Sequence, residues 1–190
     1  MRKLSEEIAK FFHLKPVSTP IVTVTGGKGG TGKTSVAVNL AVALKMYGKR
    51  VILADLDVDC PNDAVLFGRK LEKGEEIVFF KPKINTEKCV KCGRCAEVCL
   101  ENALVYVKDQ FPAFFEELCS GCAACRLVCP ADAIEEDHKV LGKIYVSEID
   151  GIWLITGELK PTEARSPLVS FKTKQKTYEI AESENFDVIL

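Results

Sequence analysis

The chain has 190 residues, 47% hydrophobic and 28% charged, the profile of a folded protein rather than a disordered one. A formal net charge of −1 gives no reason to expect a polyanionic partner such as nucleic acid. No apolar run approaches the length of a bilayer span, and Met1–Lys15 is charged throughout, unlike a secretory signal, so the expected compartment is the cytoplasm.

Ser5 to Leu14 has the pattern of a short amphipathic helix, with Ser5 as cap and Ile8, Phe11 and Phe12 on one side. Pro16 ends it, because the residue before a proline avoids helical geometry. Ile21–Thr25 is β-branched and reads as a buried strand, and it runs directly into the glycine-rich segment Gly26–Thr34. Val36, Leu40 and Leu44 then recur at helical spacing, and Gly48 closes that helix. Val51–Ala54 is a second apolar strand, followed by Asp55, Asp57 and Asp59. Strand, glycine loop, helix and strand make a βαβ unit, so the expected sheet is mainly parallel and the class α/β.

Between Lys81 and His138 the segments shorten and the sequence repeats itself. Cys89, Cys92, Cys95 and Cys99 recur 30 positions later as Cys119, Cys122, Cys125 and Cys129. Ala103 and Ala133, and Leu104 and Ile134, keep the same offset, which marks an internal duplication. Beyond it, Ile144–Ile149 and Ile152–Gly157 read as strands joined at Asp150-Gly151, a hairpin turn signal. A polar helical stretch around Thr173–Glu182 follows, and Phe186–Leu190 reads as a last buried strand.

Gly27-x-x-x-x-Gly32-Lys33-Thr34 satisfies the Walker A pattern of a P-loop. Glycines let backbone N–H groups converge on phosphate oxygens, and the helix that follows points its positive end at the same anion. Lys33 is expected to reach the β- and γ-phosphates of ATP, and the Thr34 hydroxyl to ligate Mg²⁺. The expected nucleotide contacts of this loop are Gly27, Gly29, Gly30, Thr31, Gly32, Lys33, Thr34 and Ser35. The bland alternative is a glycine-rich turn that binds nothing.

Nine cysteines in a reducing compartment call for an explanation other than disulfides. Both runs, Cys-x2-Cys-x2-Cys-x3-Cys, match the bacterial ferredoxin pattern, the second with its following Pro130 and the first with Leu100 in that place. That match implies two [4Fe–4S] clusters, the fourth cysteine of each run serving the other cluster. One would use Cys89, Cys92, Cys95 and Cys129, the second Cys119, Cys122, Cys125 and Cys99. Two zinc sites are the competing reading, but zinc commonly pairs two CxxC units and needs neither the third cysteine nor the x3-Cys. Cys60 stands apart and is expected to be a small buried core residue.

The string Lys28–Thr34, with its extra lysine, resembles the deviant Walker A of the MinD/ParA/nitrogenase-iron-protein class of ATPases. The resemblance implies that Lys28 reaches across an ATP-induced homodimer to the partner's nucleotide. Asp55–Asn62 resembles the acidic switch segment of that class, which makes Asp57 the candidate for positioning the attacking water and Asp55 for holding Mg²⁺; solvated carboxylates at a strand end are the alternative. Lys28, Lys33 and Asp57 are thus the candidate catalytic residues.

Over residues 20–190 the chain resembles MinD-superfamily P-loop ATPases with an inserted 2[4Fe–4S] ferredoxin domain. The expected layout is an N-terminal extension over 1–19, the ATPase domain over 20–82 and 138–190, and an α+β ferredoxin-like insertion over 83–137. Such proteins continue past a strand like Phe186–Leu190 into a second switch, so a fragment is expected, the alternative being a natural short form. The implied function is ATP binding or hydrolysis coupled to electron transfer toward a redox or client protein. The alternatives are an iron–sulfur cluster carrier and a non-hydrolysing ferredoxin-type electron carrier.

Overall fold

The computed structural model describes residues 17–190, and the helix expected over 5–14 lies outside them. The chain divides into two compact units: one runs to Ile77 and resumes at Leu141, the other is Val78–Val140. In chain order the elements are α1 (Lys33–Met46), β1 (Val51–Asp55), α2 (Asp63–Leu66), β2 (Glu75–Ile84), α3 (Arg94–Glu97), β3 (Leu104–Val105) and β4 (Ala113–Phe114). After a 3₁₀ turn at Glu116–Leu118 come α4 (Ala124–Leu127), β5 (Ile134–Ile149), β6 (Ile152–Leu159), α5 (Ser166–Ser183) and β7 (Val188–Ile189).

The principal sheet has the order β2-β5-β6-β1-β7. β1 is parallel to both its neighbours, with Asp55 in register with Thr156 of β6. β5 and β6 form an antiparallel hairpin closed by Asp150 and Gly151, both at positive φ as a two-residue primed turn requires. The sheet is therefore mostly parallel with an antiparallel arm.

Alternation along the strands sets the two faces. Val51, Leu53, Ile152 and Leu154 pack with Val38 and Ala41 of α1 and Ala64 of α2. On the other face Gly157 lies close enough to Thr173 of α5 that an added Cβ would come within 2.2 Å of its hydroxyl. Thr173 and Thr177 are fully buried in that helix and return their hydroxyls to the carbonyls of Val169 and Thr173.

Ile21–Thr25 is not a strand. Ile21 makes one isolated parallel bridge to Ile189, the Val22 N–H donates to Ile189 O, and both side chains are exposed. Its neighbour β7 is two residues long. α5 begins at Ser166, two turns before the expected start, because Pro167 fits the first turn of a helix, where no N–H is needed.

In the second unit the duplication extends to the backbone. Lys91 and Gly121, Gly93 and Ala123, and Asn102 and Asp132 are all at positive φ, each pair 30 residues apart. The unit's limits, Val78 and Val140, fall within β2 and β5, which are continuous strands. Leu104 and Ile134 form its core with Cys95 and Cys125.

Candidate nucleotide and cysteine sites

Gly26–Gly32 is a loop without regular structure that turns directly into α1. Gly30 and Gly32 take φ of 75° and 84°, a region only glycine enters without strain, and neither has an atom within 4 Å of where a Cβ would sit. The first intrahelical bond runs from Val36 N–H to Gly32 O, so the amides of Lys33, Thr34 and Ser35 precede the ladder. No side chain caps this helix. Three such amides, glycines that admit close approach and the positive helix end are what a phosphate needs. Thr31 braces the loop, its hydroxyl donating to Lys28 O at 3.2 Å.

The loop borders a cavity of about 540 Å³ lined by Ile21–Gly26, Lys33, Thr34, Leu53–Asp57, Asp63, Lys174, Thr177 and Tyr178, among others. Lys33, Thr34, Asp55 and Asp57 are thus brought to one cavity. Lys28 is exposed and does not line it.

Asp55, only 6% exposed, accepts three backbone N–H groups: Asp57 on Oδ1, and Asn62 and Asp63 on Oδ2, at 3.0–3.1 Å. Burial pushes its carboxyl up, the three N–H donors pull it back, and Asp57 adds a smaller upward push. Asp63, 5% exposed, lacks that backbone cradle; burial first, then the nearby Asp55 and Asp57, push it up to about 7. The same face carries the fully buried hydroxyl of Thr156, which has no hydrogen-bond partner.

Sequence reasoning missed Asp63, and the signal was available. Asn62-Asp63 opens a short helix after an acidic strand end, so its amides fold back onto Asp55. Asp57 is exposed, and what it gives Asp55 is its amide. Cys60 corrects the expectation of a core residue. It lies exposed in the turn after β1, its N–H donating to Asp57 O and its sulfur accepting from Asn62 Nδ2 at 3.4 Å.

None of the nine cysteines is joined in a disulfide. Cys89, Cys92, Cys95 and Cys129 line one small cavity, closed by Val90, Pro112, Ala133 and Ile134 among others. Cys119, Cys122 and Cys125 surround the second loop; burial above all, then Cys119, Cys122 and Cys95, push the Cys125 thiol up to about 11. Burial likewise raises Cys95. Backbone amides aim at the sulfurs: Ala103 N–H at Cys99 and Ala133 N–H at Cys129, at 3.3 and 3.2 Å, and Gly121 N–H at Cys119 at 3.4 Å. Among the described residues, no group of three or more His, Cys, Asp or Glu side chains stands close enough to hold a single metal ion.

Residues 22–160 match the family model of the CobQ/CobB/MinD/ParA nucleotide binding domain. The chain belongs to this family. An uncharacterized protein of Methanocaldococcus jannaschii is 36% identical over 156 residues, 82% of this chain and 55% of that protein. The septum site-determining protein MinD of a Synechocystis strain is 27% identical, over 74% of this chain and 65% of its own length. The iron–sulfur cluster carrier protein of Aquifex aeolicus is 53% identical over 53 residues, 28% of this chain and 15% of that protein. The chain spans about half the length of the first of these relatives. A MinD/ParA-type nucleotide-binding domain accounts for the glycine loop, the parallel sheet and the cavity at its edge. Among the described residues, no helix is long and apolar enough to cross a membrane.

Proposed function

We propose that this protein binds ATP with Mg²⁺ at Gly27–Ser35, and that nucleotide binding and hydrolysis bias electron transfer through two [4Fe–4S] clusters held by the eight cysteines of its second unit. The observation that carries the redox half is the cavity shared by Cys89, Cys92, Cys95 and Cys129, since Cys129 comes from the other run. Crossing of the fourth cysteine is what a duplicated two-cluster module requires and what two separate zinc sites would not. A tetrahedral zinc site with Zn–S near 2.3 Å would draw its four sulfurs to about 3.8 Å of one another. A cubane offers one iron per cysteine, so its four ligands stand farther apart than those of a single zinc. The amides aimed at sulfur suit thiolates that stay charged when metal-bound. Because burial raises Cys95 and Cys125, iron must displace their protons on assembly.

In the nucleotide site the amides of residues 33–35 and the Lys33 ammonium bind phosphate oxygens. The Thr34 hydroxyl and Asp55 hold Mg²⁺, which supplies charge neutralisation on the β- and γ-phosphates. Asp57 positions the attacking water. Lys28, exposed on the loop, serves a partner's nucleotide in an ATP-dependent homodimer. The protein works in the cytoplasm with a redox or client protein.

Reduced protein mixed rapidly with a one-electron acceptor, with and without Mg·ATP, tests the coupling. The reading predicts a reoxidation rate that changes severalfold with nucleotide; an indifferent rate contradicts it. A second reading, a carrier that hands clusters to client proteins, draws on the similarity to the Aquifex aeolicus carrier protein. It predicts transfer of a cluster to an apo-ferredoxin, and retention by this chain would exclude it.

A further inference from the structure

The two cysteine runs share one backbone but differ in their immediate surroundings, and the difference centres on Lys91. Each residue near one run has a counterpart 30 positions away near the other, so the charges can be compared place by place. Lys91 lies between Cys89 and Cys92; its counterpart between Cys119 and Cys122 is Gly121. Both take positive φ, 55° and 69°. Glycine does so freely, whereas a lysine held there costs on the order of 1 kcal/mol.

The cation at this position is fixed. Its carbonyl accepts the Tyr106 hydroxyl at 2.6 Å, and its ammonium sits 4.5 Å from the centre of the Phe111 ring. The side chain is half-buried, so water screens its charge less than that of a free surface lysine. Several neighbouring charges are paired, and Asp109, whose N–H donates to the same Tyr106 hydroxyl, acts against Lys91. Lys88 pairs with Glu135 at 3.7 Å, Arg94 and Glu97 border the same groove beside Cys129, and Arg126 pairs with Glu136. Near the second run Glu116 is compensated by Lys81 and Lys139. Glu87 and Glu117 are counterparts and cancel. Glu101, two residues beyond Cys99, faces the uncharged Ala131 as counterpart and adds negative charge on the second quartet's side. Asp132, the counterpart of Asn102, is exposed and acts against the trend.

We infer that Lys91 is a positioning residue for charge: it makes the Cys89/Cys92/Cys95/Cys129 site the higher-potential of the two, so that a single added electron rests there. The step is one-electron exchange, from the reduced cluster of the second quartet to the oxidised cluster of the first, with no bond made or broken and no proton moved. The inference rests on the two-cluster reading above.

The test is an anaerobic potentiometric titration of the iron-loaded protein followed by EPR, for the wild type and for Lys91→Gln, Lys91→Arg and Lys91→Gly. Two one-electron waves are expected in the wild type. Lys91→Gln should lower the upper wave alone, by about tenfold in electron occupancy, or 59 mV for one electron. Lys91→Arg should restore it. Lys91→Gly, which also removes the backbone strain and matches the second run, should lower the upper wave to the same extent, so that a folding defect cannot imitate the result. Unmoved waves in Lys91→Gln, or a shift confined to the lower wave, would overturn the inference while leaving two clusters in place. A single wave that integrates to two clusters would overturn the inference as well, whereas protein without iron would overturn the two-cluster reading itself.

Discussion

Two residues carry most of the physical chemistry at the smallest scale. Asp63 is buried beside two other carboxylates, and its folded-state pKa of about 7 lies above the 3.8 of an ordinary aspartate. A raised carboxyl binds its proton more tightly when folded, so its stabilising effect is full below about pH 4 and is lost as pH rises through 7. Asp63→Asn should therefore raise the melting temperature of nucleotide-free protein at pH 8 and leave it nearly unchanged at pH 4; an equal effect at both pH values would refute the assignment. Ala123 occupies a left-handed position, φ 57°, whose first-run counterpart is Gly93. Ala123→Gly should stabilise the iron-loaded protein by about 1 kcal/mol. Gly121→Ala should do the opposite, since its Cβ would come within 2.4 Å of the Phe79 ring as well as meeting positive φ. Thermal unfolding of the pair checks both signs.

Close approach between elements is clearest where α5 crosses β6. A Cβ at Gly157 would lie 2.2 Å from the Thr173 hydroxyl and 2.8 Å from Val58. Gly157→Ala should then cost about 1–3 kcal/mol in urea unfolding, through a shift of a fully buried helix face. At this scale the sequence was readable where local chemistry decides the structure: the P-loop turn into α1, the Asp150-Gly151 hairpin and the spacing of the cysteines. It was less readable where neighbours decide. Ile21–Thr25 has strand composition, yet only Ile21 makes a bridge, and the limits of the second unit fall inside strands that carry no break signal. Cys60 has the apolar character of a core residue, yet the turn after β1 turns it outward. Asp63 was legible only in part: its place after an acidic strand end was visible, but its burial comes from α2 folding back on Asp55.

Across the molecule, a nucleotide-binding domain of the MinD/ParA kind is interrupted, between β2 and β5, by a cysteine-rich unit with its own core. The backbone of that unit is duplicated down to three pairs of positive φ, and the proposal is that each half wraps the same kind of group. Iron and acid-labile sulfide analysis of anaerobically prepared protein, with its visible and EPR spectra, tests that claim most directly. The account predicts about eight irons and eight sulfides per chain and a brown protein with cubane spectra, the stoichiometry two [4Fe–4S] clusters impose. Colourless protein that takes up zinc at two equivalents and no iron would contradict it.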